Sequence, residues 1–236
     1  MRRSIFAIAA ILGATLILSV AGCGSSSGDA VPGPADGTYR GTIEDSGSLD
    51  PITVVIAGGS ITVTIPAGTL TGTFAQEVGN IYGFNIDGTD GGFILDASGT
   101  RAGFVNEVFS FGAVQKDAVS PPGSYAQGDL TGSWTGEYAE TDFLFELIAY
   151  GSTQVTVAGG GSFNGSSDAP DTFNGTLTLD DASYGRYTGT VTSSGYGSGT
   201  VSAFVTPDKA FAASYACFPN SGAFPDGCTF NFWSKQ

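Results

Sequence analysis

The sequence predicts an all-β protein made of two tandem, related units of antiparallel up-and-down strands. Apolar and polar residues alternate over short stretches, and Gly, Asn and Asp separate these stretches. A weak internal repeat relates the two halves of the chain. Beyond residue 22 no 3.6-residue periodicity is sustained, and 37 glycines in 236 residues oppose long helices.

The chain begins with a secretory signal pattern. Met1-Arg2-Arg3 is a basic start, an apolar run follows from Ile5 to Leu18, and small residues come next. The alternative is an uncleaved transmembrane helix, because residues 5–22 could span a bilayer if stretched. The small residues beside Cys23 and the flexible polar segment after it favour a cleaved signal peptide over residues 1–22.

Val20-Ala21-Gly22-Cys23 resembles the lipobox of bacterial lipoproteins. The resemblance implies that the Cys23 thiol receives a diacylglyceryl group and that the new amino terminus receives a further acyl chain such as palmitate. Several acyl chains on one cysteine give lasting attachment, whereas a single chain binds a membrane only marginally. Gly24 replaces the aspartate that retains some lipoproteins at the inner membrane, which implies a lipid-anchored protein of the cell outer membrane.

Composition divides the rest of the chain. Residues 23–36 are rich in Gly, Ser and Pro and predict a flexible tether with a reach of about 20 Å. A Pro-rich break over residues 118–128 separates a first β unit, residues 37–117, from a second one, residues 129–236.

Charge excludes several classes of partner. Loss of Arg2 and Arg3 with the signal leaves six basic residues against 22 acidic ones, a net charge of −16. Such a surface repels nucleic acid, so the lipid must provide the membrane attachment. The chain has no histidine, which removes Ser-His-Asp triads and His-ligated zinc. We expect no cofactor and no metal.

Cys217 and Cys228 predict a disulfide bond. Export to an oxidising compartment favours the bond, and the turn-forming residues between the two cysteines let the strand ends meet. A loop of this size contributes about 3 kcal/mol in the chain-entropy model.

Several strands and turns follow from the pattern. Gly58-Gly59 and Ser98-Gly99 each predict a tight hairpin between two alternating stretches. Period-two alternation predicts half-buried strands in four places: Ile61–Ile65, Phe109–Ala113, Phe143–Ala149 and Phe211–Cys217.

The internal repeat rests on three pairs of segments. Asp36–Asp45 parallels Thr131–Glu140, and each of these is followed by a hairpin. Gly68-Thr-Leu-Thr71 recurs as Gly175-Thr-Leu-Thr178. Tyr82-Gly83 recurs as Tyr184-Gly185. Small barrels and two-sheet sandwiches share this sequence pattern, so both architectures stay open.

Gly37-Thr38-Tyr39 and Gly132-Ser133-Trp134 are similar to the Gly-x-Trp that begins the first strand of lipocalins, avidins and other calycin barrels. The resemblance implies that Tyr39 and Trp134 close one end of a barrel. It departs from the lipocalin pattern in having no clear partner arginine near the closing strand, where Lys235 is the only basic residue.

Glu146 is a candidate ligand-binding residue together with Trp134 and Tyr39. Period two places it on one strand face between Leu144 and Ile148, which would raise its pKa if that face lined a cavity. The alternative is the solvent face of an edge strand.

Three other groups of residues are weaker candidates for a functional site. Residues 85–96 match part of a calcium loop but equally suit a hairpin turn. Tyr184, Tyr187 and Tyr196 suit sugar stacking or cross-strand pairing. The adjacent carboxylates Glu44-Asp45 and Asp180-Asp181 point to opposite faces of a strand, so neither pair forms a glycosidase site by itself.

We expect a non-enzymatic binding or structural module at the cell envelope, with a small apolar ligand, a glycan or an envelope protein as its partner. The alternatives are an envelope-polymer hydrolase that uses carboxylates and a surface adhesion component. No catalytic residue is predicted.

Overall fold

The computed structural model describes residues 35–106, 110–141, 147–167, 171–219 and 227–236. These residues form β-strands joined by turns, with one short 3-10 turn at Gln127–Leu130. The strands of the first half are β1 Gly37–Asp45, β2 Ser48–Ala57, β3 Ser60–Ile65, β4 Gly68–Val78, β5 Ile81–Ile86, β6 Thr89–Leu95, β7 Arg101–Asn106 and β8 Phe111–Lys116. Those of the second half are β9 Gly132–Thr141, β10 Leu147–Val157, β11 Ser162–Ser167, β12 Thr172–Asp181, β13 Arg186–Ser193, β14 Gly197–Val205, β15 Phe211–Phe218 and β16 Gly227–Lys235.

Each half closes into its own antiparallel barrel. The strands of barrel 1 (β1–β8) follow one another around it, and β1 pairs with β8. Barrel 2 (β9–β16) closes in the same way through β9 and β16. The predicted fold class is therefore confirmed, and the chain adopts barrels rather than sandwiches. Closure gives every strand two neighbours, which removes the free sheet edges that promote aggregation.

The predicted hairpins are present. Gly58 and Gly59 join β2 to β3 with φ angles of 55° and 83°, the left-handed conformation that a two-residue hairpin turn requires. Ser98 and Gly99 lie in the turn between β6 and β7. The calcium-like segment is also a hairpin, since Asp87 and Gly88 join β5 to β6. Among the described residues no group of three or more His, Cys, Asp or Glu could hold a metal ion.

The two barrels pack against each other through an aromatic cluster on their outer faces. Phe111 of β8 is fully buried, and its ring lies 5.3–6.4 Å from four rings of barrel 2. These rings belong to Phe204, Tyr215, Phe230 and Phe232. The alternating face of β15 predicted from the sequence joins this cluster through Phe211 and Ala213. That face is thus buried between the barrels and not inside barrel 2.

Polar contacts surround the aromatic cluster. The Arg101 guanidinium bridges Asp96 of barrel 1 and Asp208 of barrel 2, with N···O distances of 2.9 and 2.6 Å. Glu44 of barrel 1 pairs with Arg186 of barrel 2 at 3.4 Å. The apolar cluster and these pairs hold the two barrels in one arrangement.

The register of the strands corrects two of the repeat pairs. Gly37 and Gly132 begin the first strands, and the pairing around each barrel then places Gly72, not Gly68, at the position of Gly175. The next pairing places Tyr82 at the position of Tyr187, not Tyr184. Short Gly/Thr motifs occur more than once within a strand. The alignment of the two halves by sequence was therefore displaced by three or four residues from the structural alignment.

The Cys217–Cys228 disulfide is confirmed. The two cysteines are directly opposite each other near the ends of β15 and β16, with a Cα–Cα distance of 4.2 Å. The bond therefore joins neighbouring strands on the outer face of barrel 2.

Some predictions fall on residues outside the described ranges. These are the signal peptide, Cys23, most of the tether and Glu146. Within the described ranges, no helix has the length and apolar character needed to cross a bilayer.

Gly103→Val tests the packing between the barrels. A Cβ atom at Gly103 would overlap the Phe232 ring of the other barrel and approach Ala213. We expect a loss of about 2 kcal/mol in the free energy of unfolding, the usual cost of overpacking, measured by urea denaturation. Gly92→Val is the matched control, because a Cβ at Gly92 meets nothing within 4 Å. An equal loss in both variants would contradict the interface.

Asp96→Asn tests the buried ion pair with Arg101. Burial raises the pKa of Asp96, but hydrogen bonds from Ser98, Thr100 and Arg101 outweigh it and hold that pKa below its usual range. The stabilisation is therefore present above the unfolded-state pKa of about 4 and is lost as pH falls through the folded-state value. We expect Asp96→Asn to cost about 3 kcal/mol at neutral pH.

The pH dependence provides the control for this variant. The stability difference between the wild type and Asp96→Asn should shrink in denaturation curves measured below about pH 4. A difference for Asp96→Asn that is constant with pH would rule out the charged pair as its source.

Candidate ligand-binding cavities

An aromatic side chain of the first strand closes one end of each barrel. In barrel 1 the Tyr39 ring is fully buried, and its hydroxyl donates to the carbonyl oxygen of Ala35 at 2.9 Å. In barrel 2 Trp134 Nε1 donates to the carbonyl oxygen of Leu130 at 2.8 Å. Each aromatic bonds the residue four positions earlier, which draws the incoming chain across the end of the barrel.

A lysine from the last strand covers each of these aromatic rings. Lys116 Nζ lies 5.9 Å from the centre of the Tyr39 ring, and Lys235 Nζ lies 5.2 Å from that of Trp134. Each ammonium also donates to a main-chain carbonyl oxygen, at 2.6 Å in barrel 1 and 3.0 Å in barrel 2. Lysine thus stands where the calycin resemblance implied an arginine. Lys116 was not predicted from the sequence, although it ends its barrel just as Lys235 does.

Buried tyrosines at the closed ends stay neutral. Burial raises the pKa of Tyr39 and Tyr187 far above the usual value, and raises that of Tyr125 to about 12. Nearby acidic groups add to this shift, Asp129 among them for Tyr125 and Tyr187. The Tyr187 hydroxyl donates to the carbonyl oxygen of Ala126 at 2.6 Å. The Tyr39 and Tyr187 hydroxyls therefore act as structural hydrogen-bond donors.

The segment between the barrels covers the closed end of barrel 2. The Tyr125 main-chain N–H donates to the carbonyl oxygen of Ala182 at 2.9 Å. The Gln127 side chain both donates to the Leu177 carbonyl oxygen and accepts from the Leu179 N–H, at 2.8 and 2.7 Å. This end of barrel 2 is thereby sealed by the chain itself.

Barrel 1 encloses a cavity of about 240 Å³. Tyr39, Phe74, Tyr82 and Phe93 form an aromatic cluster at the closed end, and the cavity lies beyond it. The wall is largely aliphatic and includes Ile52, Ile61, Val63, Ile65 and Leu70. Leu70 lines this cavity yet is 43% exposed. An apolar side chain with that exposure inside a barrel shows that solvent reaches the cavity.

Polar side chains gather at the mouth of the barrel 1 cavity. Asp45 Oδ1 accepts from Ser110 Oγ at 3.1 Å, and the Ser110 N–H donates to Asn106 Oδ1 at 2.7 Å. Asp87 and Thr89 also lie at this mouth. Polar groups therefore surround the opening while the interior stays apolar.

Barrel 2 encloses a smaller cavity of about 60 Å³. It extends from Trp134 to Asp171 and Tyr196 at the other end of the barrel. One wall is apolar and is formed by Val155, Leu177, Val191 and Val201. Asp171 accepts from the Ser193 hydroxyl at 2.7 Å and from the Gly195 N–H at 2.8 Å, which ties its carboxylate to the turn after β13.

The wall formed by β15, β16 and β9 carries polar side chains. Ser214 is directly opposite Asn231, and Asn231 is directly opposite Tyr138. Trp233 lies two residues further along β16, on the same inward face. Barrel 2 thus has an apolar wall and a polar wall, whereas the cavity of barrel 1 is apolar below its polar mouth.

The site residues predicted from the sequence do not come together in one site. Trp134 lines the barrel 2 cavity, and Tyr39 belongs to the cluster of aromatic rings at the closed end of barrel 1. Tyr187 belongs to the core of barrel 2, Tyr196 lines its cavity, and the Tyr184 carbonyl oxygen accepts from Thr42 at 2.9 Å.

The adjacent carboxylate pairs have structural partners. Glu44 contacts Arg186 and the Tyr215 hydroxyl. Asp180 pairs with Arg186, and Asp181 accepts from main-chain N–H groups of the β12–β13 turn. Glu44 and Asp180 thus converge on the same guanidinium.

Comparison with known proteins identifies no family. No model of a protein family matches the chain, and no curated protein matches it. One similar solved structure is a protein of unknown function from the DUF3598 family of Nostoc punctiforme, with 10% identity and a TM-score of 0.41 over 86% of this chain and 97% of the other.

Another similar structure is a double mutant of the vaccine antigen transferrin-binding protein B from Haemophilus parasuis. It shares 13% identity and a TM-score of 0.47 over 84% of this chain. The match spans less than half of that protein, 44% of its chain. At these scores neither likeness carries an argument about the present chain.

Proposed function

We propose that the protein is a lipid-anchored lipoprotein of the bacterial cell envelope, with a non-enzymatic role, whose barrel 1 binds a small apolar ligand. The observation that supports this proposal best is the solvent-reached aliphatic cavity of about 240 Å³ in barrel 1. Protein interiors are close-packed, and a void of this size leaves side chains without contacts that a ligand would supply.

The wall of this cavity selects for hydrocarbon. Inward-facing Val63, Ile65 and Leu70 are only partly buried, so a ligand would remove their apolar surface from water. Each Å² removed contributes roughly 25 cal/mol. The deep wall offers no polar side chain to pair with a polar group, which would therefore be buried unsatisfied.

The mouth selects against anions. Asp45 and Asp87 line it, and the whole chain carries a net charge of −14. A ligand with a carboxylate or phosphate at this opening would be repelled. We therefore favour a neutral ligand over a fatty-acid anion.

Anchoring is supported by the resemblance of Val20–Cys23 to a lipobox and by the disulfide. Disulfides persist in oxidising compartments, and Cys217–Cys228 is consistent with export. The acidic composition leaves attachment to the acyl chains on Cys23.

Two carboxylates at one opening are the arrangement that the hydrolase alternative needs. Asp45 and Asp87 both lie at the mouth of barrel 1. The space between them leads into aliphatic walls, which provide no hydrogen bonds for a sugar ring. We therefore propose binding and not hydrolysis.

Val63→Phe tests ligand binding in barrel 1. Val63 lies opposite Leu70 on the inward face, so the larger ring occupies the cavity. We expect the affinity for the neutral fluorescent probe N-phenyl-1-naphthylamine to fall about tenfold or more, measured by fluorescence titration of the purified protein.

Val55→Phe is the control for this variant. Val55 lies on the neighbouring strand but on the outer face, where it is 38% exposed. It should bind the probe as the wild type does. Unchanged binding in Val63→Phe, or equal losses in both variants, would place the probe elsewhere and defeat the proposal for barrel 1.

Cys23→Ser tests the anchor. The hydroxyl cannot accept the lipid, so we expect the protein to move from the membrane fraction to the soluble fraction of cells. Mass spectrometry of the native protein should find the acyl mass on Cys23. Membrane retention of the variant, or an uncut amino terminus on the native protein, would show that the anchor assignment is wrong.

A further inference from the structure

Among the described residues that line the barrel 2 cavity, two buried polar atoms have no hydrogen-bond partner. Within the described ranges the buried side-chain atoms without a partner are Thr131 Oγ1, Ser214 Oγ and Trp233 Nε1. Two of these three belong to side chains that line the barrel 2 cavity, Ser214 and Trp233. Ser214 is fully buried and Trp233 is 7% exposed.

Their chemistry defines what would satisfy them. An indole N–H can only donate, and a serine hydroxyl can both donate and accept. Ser214 and Trp233 lie on adjacent strands of the same wall, with Asn231 opposite Ser214. An oxygen atom that accepts hydrogen bonds would satisfy either group.

The charge of the cavity restricts the ligand further. Among the described residues that line the cavity, Asp171 carries the charge, and its carboxylate is held by the turn after β13. None of the described residues that line it is a lysine or an arginine. A buried anion without a cationic partner is strongly disfavoured, so the accepting oxygen must belong to an uncharged group.

The size and the apolar wall limit the rest of the ligand. A cavity of about 60 Å³ has space for roughly four to six water molecules at about 10–15 Å³ each. Val155, Val191 and Val201 offer contacts to hydrocarbon on the side opposite the polar wall.

We propose that barrel 2 is a second binding site, chemically distinct from that of barrel 1, which takes a small neutral alcohol or carbonyl compound whose oxygen accepts from Trp233 Nε1 and pairs with the Ser214 hydroxyl. This inference does not depend on ligand binding in barrel 1. The two sites divide ligands by polarity: hydrocarbon in barrel 1 and a neutral oxygen-bearing group in barrel 2.

The two tryptophans of the chain provide an internal reference for the test. Trp134 Nε1–H is already bonded to the Leu130 carbonyl oxygen, whereas Trp233 Nε1–H has no partner. Cyclopentanone titrated into purified, ¹⁵N-labelled protein should move the Trp233 indole resonance downfield and leave that of Trp134 nearly unchanged. Trp233→Phe assigns the two resonances.

Two further compounds of the same size separate the possible interactions. Methylcyclopentane has no oxygen and should not move the Trp233 resonance downfield. Isobutyrate is an anion and should not bind. A downfield shift with methylcyclopentane, or binding of isobutyrate equal to that of the ketone, would overturn the neutral-oxygen assignment.

Ser214→Ala tests the second hydrogen bond. We expect it to weaken cyclopentanone binding about fivefold, the loss typical of one hydrogen bond, and to leave methylcyclopentane binding unchanged. Ser133→Ala on the exposed face of β9 is the matched control and should behave as the wild type.

The test is independent of barrel 1. Val63→Phe should give the same Trp233 response as the wild type, so failure in one barrel does not imply failure in the other. An unmoved Trp233 resonance at saturating cyclopentanone would show that the cavity holds only water and would overturn the proposal.

Discussion

The closure of each barrel is the constraint on which the other features depend. Main-chain hydrogen bonds between β1 and β8 and between β9 and β16 turn two meandering sheets into two enclosed volumes. Closure then requires one side-chain face to point inward and the other outward around each barrel. The inward faces form the cavities, and part of the outward faces forms the aromatic cluster between the barrels.

The two barrels repeat the same closing device with different residues. An aromatic on the first strand bonds a main-chain oxygen four residues earlier, and a lysine on the last strand covers its ring. The interiors then diverge. Barrel 1 fills its closed end with stacked aromatics and leaves an aliphatic cavity, whereas barrel 2 places Ser214 and Trp233 on a polar wall. One architecture thus provides two chemically different interiors.

The sequence predicted the strands, the hairpins and the disulfide because their signals are local. Neighbouring residues alone are enough to recognise the alternation over Ile61–Ile65 and the Gly58-Gly59 turn. It could not predict which alternating face lies inside a barrel. Phe211 and Ala213 alternate like core residues, yet they face the other barrel, a contact that depends on the tertiary arrangement.

The cavities and the repeat register escaped prediction for related reasons. A void depends on how side chains from all eight strands meet, so Val63 and Leu70 look like ordinary core residues in the sequence. Ser214 lies in no recognisable sequence motif, so its position inside barrel 2 could not be predicted. Gly68 and Gly175 resemble each other in their neighbours but occupy different levels of their barrels, as the strand pairing shows.

The hydrogen bonds that hold the chain directly before β1 have a mechanical consequence. Tyr39 and Lys116 bond the carbonyl oxygens of Ala35 and Asp36, directly before the first strand. A pulling force transmitted from upstream residues therefore meets these two bonds before it reaches the β1–β2 and β1–β8 ladders. If β1 were peeled away, barrel 1 would lose its seam and its apolar interior would open to water, so resistance to tension at this point protects the cavity itself.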